Sequence, residues 1–250
     1  MTLTASAGLA LVLAFLFSML GLGGALLYIP VFSWLGYDFK EVAIPTGLLL
    51  NGVTALSAGI YYLKARMVDV SGALPLIVTS LVGAPIGAWV SGYTSEQVLI
   101  GLFAAGMALA GARMLLTSRQ PESGVLMART KRLTLTGVAG LFIGFFAGLL
   151  GIGGGFLIVP MLIAIGYPTK RAAATSAFAV IFSSFSGFAA HVSQGRFDWP
   201  LMAVTLIAVV VGSQVGARTM KEKLSSAWIK GGFGVLLLGV AVKLATQAAR

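Results

Sequence analysis

Two glycine clusters stand out: Gly21, Gly23 and Gly24 in one half of the chain, and Gly151, Gly153, Gly154 and Gly155 in the other. Each follows a long apolar run (Leu3–Leu20; Leu133–Leu150) and precedes a short one (Ala25–Leu35; Phe156–Ile165). Without a Cβ, glycine permits a sharp turn and lets backbone N–H groups approach a ligand. A helix that starts at such a turn aims free N–H groups and a partial positive charge outward. An anion can bind there without a formal countercharge. Neither cluster is a nucleotide fingerprint, because the third glycine of G-x-G-x-x-G is missing in both and no strand precedes either.

Polar residues in the next apolar run of each half could complete such a shell. They are Thr46, Asn51, Thr54 and Ser57, and then Thr175, Ser176, Ser183, Ser184 and Ser186. Hydroxyls and amides can replace water around an oxyanion. Against this, Ser and Thr often bond their own helix carbonyls or bridge neighbouring helices. Asn51 is the most informative, since a buried amide is costly without partners.

The single histidine, His191, ends an apolar run near Gln194 and Arg196. It is a candidate for coupling proton movement to binding, set against a simply solvated imidazole. Gln214 is a second candidate of that kind. Lys230, inside an apolar block, could snorkel or attract anions. Asp69 and Asp198 correspond across the halves and are read as fixing loops, while Pro30 and Pro160 are expected to kink or end the short runs. There is no HExxH, no acidic pair at depth and no nucleophile elbow, so the chain is not expected to be an enzyme. Cysteine is absent, which removes disulfides and thiolate chemistry. No metal or other cofactor is expected.

The elements that must position these residues are membrane helices. Of 250 residues, 58% are hydrophobic and 10% charged, where a soluble domain carries about a quarter charged. The other apolar blocks are Val42–Leu63, Val70–Val90, Val98–Leu116, Ala172–Val192, Pro200–Ala217 and Gly231–Ala245. Crossing a bilayer takes about 20 mostly apolar residues. The net charge of +10 sits in short loops, as topology signal and lipid-headgroup contact, with no aromatic-rich basic surface for nucleic acid. Met1–Thr4 lacks the basic start of a signal peptide, so the first segment is read as retained.

The chain is a duplication. Gly21–Pro30 aligns with Gly151–Pro160 at an offset of 130, as do Gly36-Tyr37 with Gly166-Tyr167 and Lys40 with Lys170. After one inserted residue the offset is 129, matching Thr46 to Thr175, Ser57 to Ser186, Asp69 to Asp198, and Gly83 and Gly87 to Gly212 and Gly216. The expected organisation is a membrane repeat over 1–112, a cytoplasmic connector over 113–132 and a second repeat over 133–250. If each glycine-broken segment is a hairpin, re-entrant or spanning, the repeats are inverted. Twelve Lys/Arg then lie inside and four outside, whereas parallel repeats place ten inside and six outside. Positive charge favours the inverted arrangement. The expected fold is an all-α polytopic membrane protein of two inverted repeats, each a glycine-broken helical hairpin plus three transmembrane helices. Inverted repeats around broken helices are a recurrent transporter plan, because non-helical backbone at membrane depth must be buried in protein or line a wet cavity.

The duplicated glycine string, with its proline and the following Gly-Tyr turn, resembles the TauE/SafE sulfite exporter family, also called the TSUP permeases. Lys170-Arg-Ala-Ala-Ala-Thr-Ser176 and Gly195-Arg-Phe-Asp-Trp199 look like that family's mid-repeat signatures. The first copy departs at Ala25, where the second has Gly155. The resemblance spans essentially the whole chain. It implies a multi-pass carrier of the inner (plasma) membrane that moves sulfite, an organosulfonate or a related sulfur oxyanion. The expected substrate contacts are Gly21, Gly23, Gly24, Thr46, Asn51, Gly151, Gly153, Gly154, Gly155, Thr175, Ser176 and Ser183. His191 and Gln214 are the coupling candidates. The expected partners are the small anion and the lipid bilayer, and a homodimer is compatible. The rival readings are an anion channel and a membrane anchor for a sulfur-metabolism enzyme.

Overall fold

The computed structural model describes residues 3–119, 126–150, 154–192 and 198–248. These residues form helices without strands: α1 (Leu3–Leu20), α2 (Ala25–Trp34), α3 (Ile44–Lys64), α4 (Val70–Ser91), α5 (Glu96–Leu116), α6 (Arg129–Leu150), α7 (Gly155–Ala164), α8 (Thr169–His191), α9 (Trp199–Glu222) and α10 (Ser226–Ala248). A single π turn, Phe39–Ala43, leads into α3. Seven of the helices (α1, α3, α4, α6, α8, α9 and α10) are long and apolar enough to cross a membrane. Several helices outrun the apolar blocks. α6 begins at Arg129 and α9 continues to Glu222, because backbone pairing carries on past the hydrocarbon into charged ends.

The short helices α2 and α7 are ten residues each. Pro30 and Pro160 lie inside them and do not end them. Their ends are set by Gly36 and Gly166, both at positive φ (87° and 98°). At each, the glycine N–H bonds three residues back and the following tyrosine N–H five residues back, the glycine-closed C-cap that satisfies the last carbonyls. The Gly-Tyr pairs therefore mark helix ends.

Packing interchanges the two halves. α4 lies along α6 and α1 along α9, while α3 meets α8 and α5 meets α10. The α4–α6 approach is close enough for backbone contact. A Cβ on Gly83 or Gly87 would overlap the carbonyl of Leu141 or Phe145, and one on Gly144 or Gly148 would overlap the backbone of Ser80 or Ala84. The counterpart pair repeats this: Gly212 and Gly216 sit on the Leu11 and Phe15 carbonyls. Such small-residue seams are how membrane helices gain packing where lipid offers no hydrophobic drive.

Contacts trace two ends of the bundle. At one end the Met127 N–H donates to the Ile165 carbonyl at 3.3 Å, joining the start of α6 to the end of α7. The Arg132 guanidinium lies 5.7 Å from the Tyr167 ring centre, Lys170 Nζ donates to the Lys221 carbonyl at 3.1 Å, and Lys230 Nζ reaches the Thr117 carbonyl at 3.4 Å. At the other end the Lys243 ammonium sits 3.1 Å over the Trp34 ring, and Trp89 and Tyr93 share a cavity with His191. The first glycine break also reverses the chain. Ser6, Leu9 and Leu13 of α1 line one small cavity with Tyr28, Phe32 and Leu35 of α2, whereas a continuous helix would hold Ala10 and Phe32 about 33 Å apart. Both glycine-broken segments fold back on themselves. Residues 120–125 of the connector and 193–197, which include the first three residues of the Gly195–Trp199 motif, lie outside the described residues.

Candidate functional site

The first tip is built by local backbone chemistry. α1 closes at Gly21 (φ 72°), whose N–H bonds to Ser18 O while Leu22 N–H bonds to Phe17 O. Gly23 and Gly24 follow at φ 84° and 138°, a region that only glycine enters readily. α2 then starts at Gly24 with no side chain capping it, so its first N–H groups are left to other partners. The second tip repeats this at Gly154, in the left-handed region (φ 72°), which begins α7 without a side-chain cap. Gly151 and Gly153 lie outside the described residues.

The two tips meet. A Cβ on Gly155 would fall 2.7 Å from the carbonyl oxygen of Leu22, between Gly21 and Gly23, and 3.0 Å from Val180. A Cβ on Gly23 would overlap the Asn51 side-chain oxygen and lie 2.9 Å from Val180. Gly21 packs on the backbone of Ala173. Asn51 and Val180 are related by the repeat offset of 129, so equivalent positions of α3 and α8 flank the junction. Asn51 is fully buried, and its amide donates to the Ser184 hydroxyl at 2.5 Å. The buried Tyr28 hydroxyl shares a hydrogen bond with Thr54 at 3.1 Å. Ala173, Ser176, Val180 and Ser184 fall on one face of α8 by helical spacing. The Ser176 hydroxyl is buried there with no hydrogen-bond partner among the described residues. None of these contacts involves a charged side chain.

Other expected residues sit elsewhere. Thr175 faces away from the tips, and its hydroxyl accepts the Asp69 N–H at 3.1 Å. Thr46 is buried in the first turn of α3. The Ser183 hydroxyl bonds back to the Val180 carbonyl at 3.3 Å. His191 lies eleven residues beyond Val180, at the bundle end, with Nδ1 2.9 Å from the Gly187 carbonyl. Gln214 donates to the carbonyl (2.7 Å) and hydroxyl (3.0 Å) of Ser57, tying α9 to α3. Tyr28 and Val180 went unremarked in the sequence. Val180 was detectable as the repeat partner of Asn51, but Tyr28 aligns with Ile158 and carries no repeat signal.

A polar cluster joins the halves at the end that holds Met127 and Ile165. Asp69 caps α4 by accepting the Gly72 N–H at 3.0 Å, as Asp198 caps α9 through Leu201 N–H at 3.1 Å. Asp69 also accepts from Ser71 (2.9 Å) and from the Tyr167 hydroxyl (2.7 Å). Burial pushes the Asp69 carboxyl up, but the bonds from Tyr167, Gly72 and Ser71 and the nearby Arg171 outweigh it and hold the carboxyl below its usual range. Burial, and then the Asp69 carboxylate, push the Tyr167 phenol upward.

Residues 6–244 match the family model described as sulfite exporter TauE/SafE. The chain is 30% identical over 236 residues to the probable membrane transporter protein YunE of Bacillus subtilis, covering 82% of this chain and 85% of that one. It is 27% identical over 249 residues to the probable membrane transporter protein y4hK of Sinorhizobium fredii, covering 96% and 98%. A plant relative, sulfite exporter TauE/SafE family protein 3 of Arabidopsis thaliana, is 29% identical over 152 residues, covering 58% of this chain and 31% of that one. No solved structure matches significantly. With its seven candidate spans and a family match from near one terminus to near the other, this chain belongs to the TauE/SafE sulfite exporter family of multi-pass membrane transporters.

Proposed function

We propose that the chain is a secondary transporter of a small sulfur oxyanion, sulfite or an organosulfonate, and that it exports its substrate across the plasma membrane by alternating access between inverted repeats 1–112 and 133–250. The observation that carries this reading is the meeting of the two glycine tips, Gly155 against Leu22, beside Asn51 and Ser176. Both short helices begin there. Their N-terminal dipoles and N–H groups supply the positive potential, and the Asn51 amide and Ser176 hydroxyl supply donors. With Gly21, Gly23, Gly24, Gly154, Gly155 and these side chains buried, the arrangement is an occluded one. Rocking of one repeat against the other separates the tips and opens the site to one side at a time.

The ends of the bundle support inversion. The loops around Arg66, Arg132, Arg171 and Lys221 gather at one end, joined by the contacts of Met127, Tyr167 and Lys170. Positive charge makes that end cytoplasmic. An inside-negative potential then favours anion export by about 2.3 kcal/mol per charge at 100 mV, so no coupling ion is required in that direction.

The test is flux in proteoliposomes together with a binding panel of sulfite, sulfate, thiosulfate, taurine and sulfoacetate. Saturable sulfite or sulfonate flux, accelerated by an inside-negative potential, is expected. Flux that stays linear at high anion concentration would identify a channel. Absence of binding by every sulfur anion would reject the substrate class.

A further inference from the structure

We propose that the groove between α3 and α9, at the end of the bundle that holds Met127 and Ile165, binds an acidic phospholipid. A cavity of about 390 Å³ opens there between Tyr61 of α3 and Arg218, Glu222 and Lys223 of α9 and its end. Its surroundings are strongly basic. The Lys221 ammonium stands 5.9 Å over the Tyr61 ring, and Lys170 is brought alongside by its bond to the Lys221 carbonyl. The one acid in the cavity's lining, Glu222, pairs loosely at 3.7 Å with Arg218, whose side chain stays 71% exposed. Two cations, Arg218 and Lys223, thus line the cavity with one carboxylate, and Lys221 and Lys170 stand beside it.

Apolar side chains of both helices are exposed next to the cavity. Leu56, Ile60 and Leu63 form one exposed stripe of α3, at the i, i+4, i+7 spacing of a single helix face. On α9 the exposed stripe of Val211 and Val215 continues directly into Arg218 and Glu222. The Gln214–Ser57 bond ties the two helices beneath the cavity. A basic cup beside an apolar trough made by these two exposed stripes matches an amphiphile with an anionic head and acyl chains. A soluble anion would use the cup and leave the trough empty. Basic pockets between membrane helices are the usual setting for acidic headgroups.

The test is native mass spectrometry of the full chain in neutral detergent, titrated with phosphatidylglycerol, phosphatidylcholine and glycerol 3-phosphate. Phosphatidylglycerol should be retained in preference to phosphatidylcholine, and glycerol 3-phosphate should not displace it. Arg218→Gln and Lys223→Gln should each weaken retention about fivefold, while Arg113→Gln leaves it unchanged. Val215→Trp, which fills the trough and keeps every charge, should also expel the lipid. Equal retention of the two lipids, full retention by the Arg218→Gln/Lys223→Gln double variant, or displacement by glycerol 3-phosphate would each overturn the proposal.

Discussion

The Asn51 amide of α3 donates to the Ser184 hydroxyl of α8 at 2.5 Å, and the Asn51 side-chain oxygen lies against Gly23. One side chain thus links the two central helices to the first glycine tip. Asn51→Leu removes an amide donor while roughly keeping its volume. Sulfite binding should weaken about ten- to a hundredfold, the range for a hydrogen bond to a charged group. Ser184→Ala, which leaves the amide in place, should cost less. Calorimetric titration of both variants checks the order.

The Ser176 hydroxyl is buried without a partner among the described residues, so its burial carries a desolvation cost. Ser176→Ala should therefore leave thermal stability unchanged or raise it, by about 1 kcal/mol at most. If the hydroxyl turns toward the bound anion, affinity should fall in the same variant. A stability loss with unchanged affinity would assign Ser176 to packing alone.

Asp69 and Tyr167 give a pH-dependent stability. The Asp69 carboxyl is held below its usual range, so its contribution is complete above the unfolded value of about 4. It is lost as pH falls through the lower folded value. The melting temperature should thus drop on acidification below about pH 4. Tyr167→Phe removes the 2.7 Å donor, and should cost about 1–3 kcal/mol at neutral pH and move the acid limb to higher pH. Thermal unfolding across pH reads both effects.

The α4–α6 seam should tolerate no side chain. Gly144→Leu drives atoms into the Ser80 backbone and should separate the helices, with loss of folded protein in size-exclusion chromatography. Gly8, also helical, faces open space. Gly8→Ala should be tolerated, which makes it the matched control.

Inverted repeats are tested by topology. The chain has no cysteine, so single cysteines can be placed in an otherwise unreactive background. Ser118→Cys and Ser225→Cys should react with an impermeant maleimide only from the cytoplasmic side, and Asp38→Cys and Tyr93→Cys only from outside. Labelling of Ser118→Cys and Ser225→Cys from opposite sides would overturn the inversion.

Much of this protein follows from local chemistry. Leu3–Leu20 is α1 to the residue, and the other apolar blocks found their helices, because length and apolarity are properties of contiguous residues. The duplicated glycines marked the turns, since positive φ is a demand that a single residue meets or fails. Asn51 stood out because a buried amide needs a partner. Local chemistry does not name that partner, which proved to be Ser184, 133 residues away. Nor does it distinguish Ser176, with its unpartnered hydroxyl, from Thr175, one residue before it and turned to Asp69. Of the expectation that Pro30 and Pro160 kink or end the short runs, the ending fails: the helices run on past them to the caps at Gly36 and Gly166. Tertiary structure alone decided that Gly155 meets Leu22. The approach of two tips some 130 residues apart depends on how α3 and α8 pack between them, and that packing is a sum over many weak contacts that no short stretch of sequence contains.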